Sequence, residues 1–134
     1  MKAALYIALT VVAAGVQQAI KKDLALKGRV VTIQTEIDDV LGSGHYSALP
    51  APDAAPTSTR HAVVRVVNNS RNTVRFLETG PTSELHPIPS GGNREMVVSP
   101  GDYQIVAKLE GSGALALYRK QTYSPATKYI FLFR

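Results

Sequence analysis

At 134 residues the chain has room for one ordinary domain and an appendage. With no cysteine it can hold neither a disulfide framework, nor a thiolate zinc site, nor a cysteine nucleophile. Fifteen Lys and Arg against ten Asp and Glu leave a net charge of +5, a modest excess that aids solubility or contact with an anionic membrane surface and does not signal nucleic-acid binding. Charged residues make up 19%, somewhat below the usual share, which suits a membrane segment or a large partner contact.

The first predicted element is apolar. Residues 3–20, "AALYIALTVVAAGVQQAI", carry no charge, and only Thr10, Gln17 and Gln18 are plainly polar. As a helix, this stretch would rise about 27 Å at roughly 1.5 Å per residue, just enough for a hydrocarbon core of about 30 Å. It is also built like a secretory signal, with Lys2 ahead of the apolar run and Ala13, Ala14 and Gly15 offering small residues for cleavage. Lys21, Lys22, Lys27 and Arg29 follow, opposed only by Asp23. Flanks rich in Lys and Arg normally stay cytoplasmic, so this cluster favours a retained transmembrane anchor and leaves its orientation open. A cleaved signal and a soluble helix remain the alternatives.

Residues 21–41 follow as an amphipathic stalk. Leu26, Val30, Ile33, Ile37 and Val40 recur at the 4, 3, 4, 3 spacing of a helix that packs along one seam. Residues 29–37 also alternate as a strand would and are rich in β-branched side chains, and Gly28 weakens a continuous helix by about 1 kcal/mol relative to alanine. The helix-forming "KKDLALK" tips the choice to helix, ended by Gly42 and Gly44. Such a stripe packs either on the chain's own β-domain or on another subunit. Residues 42–60, with Pro50, Pro52 and Pro56 among Ala, Ser, Thr and Gly, read as a linker with no periodic face.

From residue 61 to 134 the pattern changes to period two. Six strands are expected at 61–68, 73–78, 94–99, 102–110, 114–120 and 128–134, separated by polar or glycine-rich turns. No helical pattern lies between them, which predicts a mainly β fold, a small antiparallel β-sandwich or barrel, behind the N-terminal transmembrane or signal helix. "SPGDY" places Pro100 and Gly101 at a turn before a strand. Over about ten residues, this strand–Pro-Gly-x-Tyr–strand unit resembles turns in many exported Ig-like and transthyretin-like modules. In the last strand Tyr129, Ile130, Phe131, Leu132 and Phe133 are all large and apolar, so both faces call for burial. A central strand covered on its second face satisfies that demand, as does a strand that completes a contact with a neighbouring protein.

Residues that carry chemistry are sparse. His45, His61 and His86 lie apart without a ligand spacing, and Asp38 and Asp39 sit on adjacent helix positions that do not face each other. "SGHYS" and "PSGGN" lack a phosphate-binding lysine or the dinucleotide glycine spacing. Asn68-Asn69-Ser70 matches the glycosylation sequon. Arg65, Arg71, Arg75, Arg94, Arg119 and Lys120 read as solvated outer faces, with no nucleic-acid-binding motif beside them.

No enzymatic activity, cofactor, metal or nucleic-acid partner is therefore expected. The expected role is a membrane-anchored structural or accessory subunit in the cell envelope. The bilayer would hold residues 3–20 of its inner-membrane anchor, and the β-domain would stand in the periplasm or outside the cell. That domain would pack on other protein subunits of a multi-subunit complex. Ile33, Ile37, Tyr129, Phe131 and Phe133 are the expected partner interface. The alternative is a signal-cleaved, secreted module that uses loops such as 79–93 to bind a glycan or peptide.

Overall fold

A computed structural model describes Gly28 and residues 30–134; the predicted anchor at 1–20 and the first part of the stalk lie outside the described residues. Among the described residues, no helix is long and apolar enough to cross a membrane. Residues 30–43 are helical (α1), which decides the helix-or-strand question over most of that stretch. The helix stops where the amide of Gly44 donates to the Leu41 carbonyl at 3.3 Å.

Residues 33–134 form one compact unit. Nine strands follow α1: β1 (Tyr46–Ala48), β2 (Asp53–Pro56), β3 (Ala62–Asn68), β4 (Val74–Thr79), β5 (Ser83–Ile88), β6 (Asn93–Val98), β7 (Gly101–Leu109), β8 (Ala116–Tyr123) and β9 (Thr127–Phe133). They make a five-stranded sheet in the order β1-β8-β7-β4-β5 and a four-stranded sheet in the order β2-β9-β3-β6. The mainly β, sandwich-like expectation holds, with one correction: both sheets are mixed. β1 runs parallel to β8 and β3 parallel to β9, while the other neighbours are antiparallel.

Two further departures have physical reasons. The stretch at 42–60 supplies β1 and β2, one edge strand for each sheet. Their prolines flank or end the strands, and an edge strand does not need every amide. The expected loop after β4 contains β5, whose Pro87 is tolerated for the same reason, because β5 is the opposite edge of the five-stranded sheet.

The inner faces of the two sheets carry the main core: Val64 and Val66 from β3, Phe76 from β4, Ile105 from β7, and Tyr129, Phe131 and Phe133 from β9. Alternation along each strand puts these residues inward. Phe76 and Phe131 meet across the sheets with ring centroids 5.4 Å apart. A second core lies on the outer side of the five-stranded sheet, where Ile33, Ile37 and Val40 of α1 pack with Leu77 and Val106. Polar contacts fix the helix there. Arg75 Nε donates to both Glu36 carboxylate oxygens at 3.2 and 3.1 Å, with Lys108 Nζ 3.6 Å away, and Gln34 Nε2 donates to Gln104 Oε1 at 3.3 Å.

Two turns show why particular residues stand where they do. Gly101 has φ 142°, in the region that favours glycine, and a Cβ there would lie 2.7 Å from Pro81 Cγ. Asn68 is fully buried and completely bonded: its amide donates to the Asn72 and Ile88 carbonyls at 2.8 and 2.9 Å. Its Oδ1 accepts from Ser70 N at 3.0 Å and Ser70 Oγ at 2.6 Å. The apparent glycosylation asparagine is thus a structural knot that ties the β3–β4 turn to β5.

Candidate functional site

The five residues expected to meet a partner are all turned into the chain's own cores. Ile37 is 0% exposed, and Ile33, Tyr129, Phe131 and Phe133 are buried beside it or between the sheets. A 4, 3, 4, 3 stripe looks the same in sequence whether its groove belongs to the same chain or to another. In α1 the groove is the outer side of the five-stranded sheet.

The open apolar surface lies on the other sheet. On its outer face β9 presents Lys128, Ile130 and Leu132, β3 presents Val63, Arg65 and Val67, and β6 presents Asn93, Glu95 and Val97, because these positions pair across the ladders. Helix α1 packs on the five-stranded sheet, and on this face Leu132 is 46% and Val97 63% exposed. The half-buried Val67 and Ile130 join them in an apolar surface, with Val63 buried beneath. Lys128 Nζ reaches diagonally over β3 to Glu95 Oε1 at 2.6 Å. That hydrogen bond and the lysine's charge hold the Glu95 carboxyl below its usual range. One face of β9 thus fills the core as its apolar sequence asks, while on the other Ile130 is half-buried and Leu132 stays exposed.

No family model, curated protein or solved structure matches this chain. Its chemistry therefore rests on its own geometry.

The polar alternative is a shallow cleft of about 450 Å³ on the outer side of the five-stranded sheet, lined by Thr79, Asp102, Gln104, Lys120, Gln121 and Thr122. Asp102 and Thr122 already bond each other at 2.6 Å, so part of its polar lining is used internally. Loop 79–93, expected to form a ligand site, contains the edge strand β5 between two turns. His45 and His61 are exposed on separate connections, and His86 bonds Glu84 through Nε2 and Oε2 at 2.6 Å. Among the described residues, no group of three or more His, Asp or Glu is placed to hold a metal ion.

One residue escaped the sequence reading. Glu78 of β4 is 0% exposed between the sheets, where Tyr123 Oη donates to its Oε2 at 3.2 Å and its Oε1 has no partner. Burial pushes its carboxyl up to about 7; the tyrosine bond opposes that shift and the nearby Glu84 charge adds to it. The same burial, with the Glu78 charge, raises the Tyr123 phenol above its ordinary range. In "VRFLE" the alternation itself pointed to this: Val74, Phe76 and Glu78 share one face.

Proposed function

We propose that this chain is an anchored accessory subunit: residues 3–20 hold it in a membrane of the cell envelope, and the outer face of its four-stranded sheet docks on a partner protein of the same assembly. The observation that carries the reading is that open face. Leu132 and Val97 stand on it with Ile130 and Val67, while the outer side of the other sheet is covered by the chain's own helix. An apolar patch rimmed by charges such as Lys128 and Glu95 has the make-up of a protein-binding surface. The uncharged run at 3–20, with the basic cluster behind it, supports the anchor.

The test is photo-crosslinking in intact cells, with a crosslinking amino acid placed at Val97, at Leu132 and, as a control, at the exposed Ser112. Crosslinks from membrane fractions at Val97 and Leu132 but not at Ser112, together with release of the chain into the soluble fraction on deletion of residues 3–20, are the expected result. A soluble mature chain that begins at Gly15 or Val16 would overturn the anchor, and equal labelling at all three positions would overturn the docking face.

The polar cleft beside Gln104 and Lys120 favours a second reading, a secreted module that binds a hydrophilic ligand such as a glycan. A soluble mature chain whose glycan binding is lost in Gln104→Ala would support it over the first.

A further inference from the structure

Burying a carboxyl between two sheets is costly, and a partner that satisfies one oxygen only leaves most of that cost in place. Glu78 is such a carboxyl. Its surroundings come from four strands. From β5, Glu84 is its direct cross-strand partner, and His86 lies two residues along on the same face, bonded to Glu84 at 2.6 Å. From β8, Tyr123 supplies the single hydrogen bond. From β7 and β9, Tyr103 and Tyr129 pack tilted against Tyr123, each with ring centroids 4.9 Å from it. None of these described neighbours is a Lys or Arg, and the one hydrogen bond to the Glu78 carboxyl comes from a phenol.

The element set against this cluster is one of the two edges of the five-stranded sheet. β5 has β4 as its one ladder partner, its Pro87 donates no amide bond, and Ser83 to His86 are half-buried, while its far end is held by Asn68 through the Ile88 carbonyl. Two carboxylates directly opposite each other on neighbouring strands repel when both are ionised. Neutral, Glu78 can remain between the sheets; ionised, it has one phenol as donor and Glu84 as its cross-strand neighbour.

We propose that Glu78 is a proton-operated latch on the edge of the five-stranded sheet: with its proton on, the β4–β5 hairpin stays closed over the tyrosine cluster, and loss of the proton opens β5 and lets water reach Glu78. This latch is independent of how the four-stranded face is used. The sign follows from linkage. The closed form holds the Glu78 proton more tightly than the open one, so closure is fully favoured below the ordinary carboxylate range and weakens as pH rises through about 7. A raised value near 7 against an open-state value of 4.5 predicts that opening of β5 increases roughly 70-fold between pH 5 and pH 8.

The experiment is amide hydrogen exchange, corrected for intrinsic rates, together with carboxyl-carbon NMR titration of the full chain in mild detergent. Glu78 is expected to titrate near pH 7, with exchange rising through that range in Ser83–Ile88 but not in β3 or β7. Glu78→Gln should remove the pH dependence. Glu84→Gln, which alters only a part-exposed side chain, should lower the Glu78 midpoint while the fold persists. An ordinary Glu78 midpoint, exchange that rises equally in β3 and β5, or a midpoint unmoved in Glu84→Gln would overturn the latch.

Discussion

Replacing Ile37 with alanine tests whether α1 belongs to this domain or waits for another protein. Ile37 is 0% exposed in the cluster with Leu77 and Val106. Removing three carbons forfeits about 2.4 kcal/mol of transfer free energy at roughly 0.8 kcal/mol per methylene. Sheet residues on one side and helix backbone on the other limit collapse, and an unfilled void of about 40 Å³ adds about 1 kcal/mol. The expected loss is therefore about 3–4 kcal/mol. Asp39→Ala, on the exposed side of the same helix, should stay within about 0.5 kcal/mol. Urea unfolding of the full chain in mild detergent, followed by tyrosine fluorescence, reports both, since the chain has six tyrosines and no tryptophan. A single transition with the midpoint lowered only in Ile37→Ala is expected. If Ile37→Ala matches Asp39→Ala, the helix does not stabilise the sheet, and its stripe is free for a partner after all.

Three further outcomes follow from described contacts. Asn68→Ala removes the side-chain partners of the Ile88 carbonyl and the Ser70 amide, while the Ser70 hydroxyl keeps the Asn72 carbonyl, and should cost about 2 kcal/mol in the same unfolding experiment. Gly101→Ala meets both an unfavourable φ and Pro81, and should lower stability by 2 kcal/mol or more, read as a fall in the thermal midpoint. Glu36→Gln should cost about 1 kcal/mol, because its partners Arg75 and Lys108 are a third exposed, and 1 M salt should shrink the difference between variant and wild type.

The long strands were legible because their alternation is strong: "DYQIVAKLE" and "HAVVRVVN" each bury alternate residues against the opposite sheet. The helix was legible from Ile33, Ile37 and Val40, but the owner of its groove was not, since a stripe records its own periodicity and nothing of what it faces. β1 and β2 were hidden by brevity and by prolines that edge strands tolerate, and β5 by Pro87. The parallel β3–β9 pairing joins segments far apart in the chain, and no local pattern encodes it. The β9 residues expected at an interface, Tyr129, Phe131 and Phe133, face the chain's own core. Period two separates Tyr129, Phe131 and Phe133 from Ile130 and Leu132, but it does not say which set meets the core.

The place of β9 in its sheet also sets an order of events when the chain is made. β2 has no other neighbour in its sheet, and β3 is flanked on one side by β9 and on the other by β6. Until Thr127–Phe133 has left the ribosome, the four-stranded sheet lacks its second strand, and the valine-rich β3 keeps one ladder unpaired. Pairing across so long a stretch of chain is slow as well as late. A nascent form of this protein therefore carries an adhesive strand edge for as long as β9 is missing. Chains stalled before that point are the ones expected to need a chaperone.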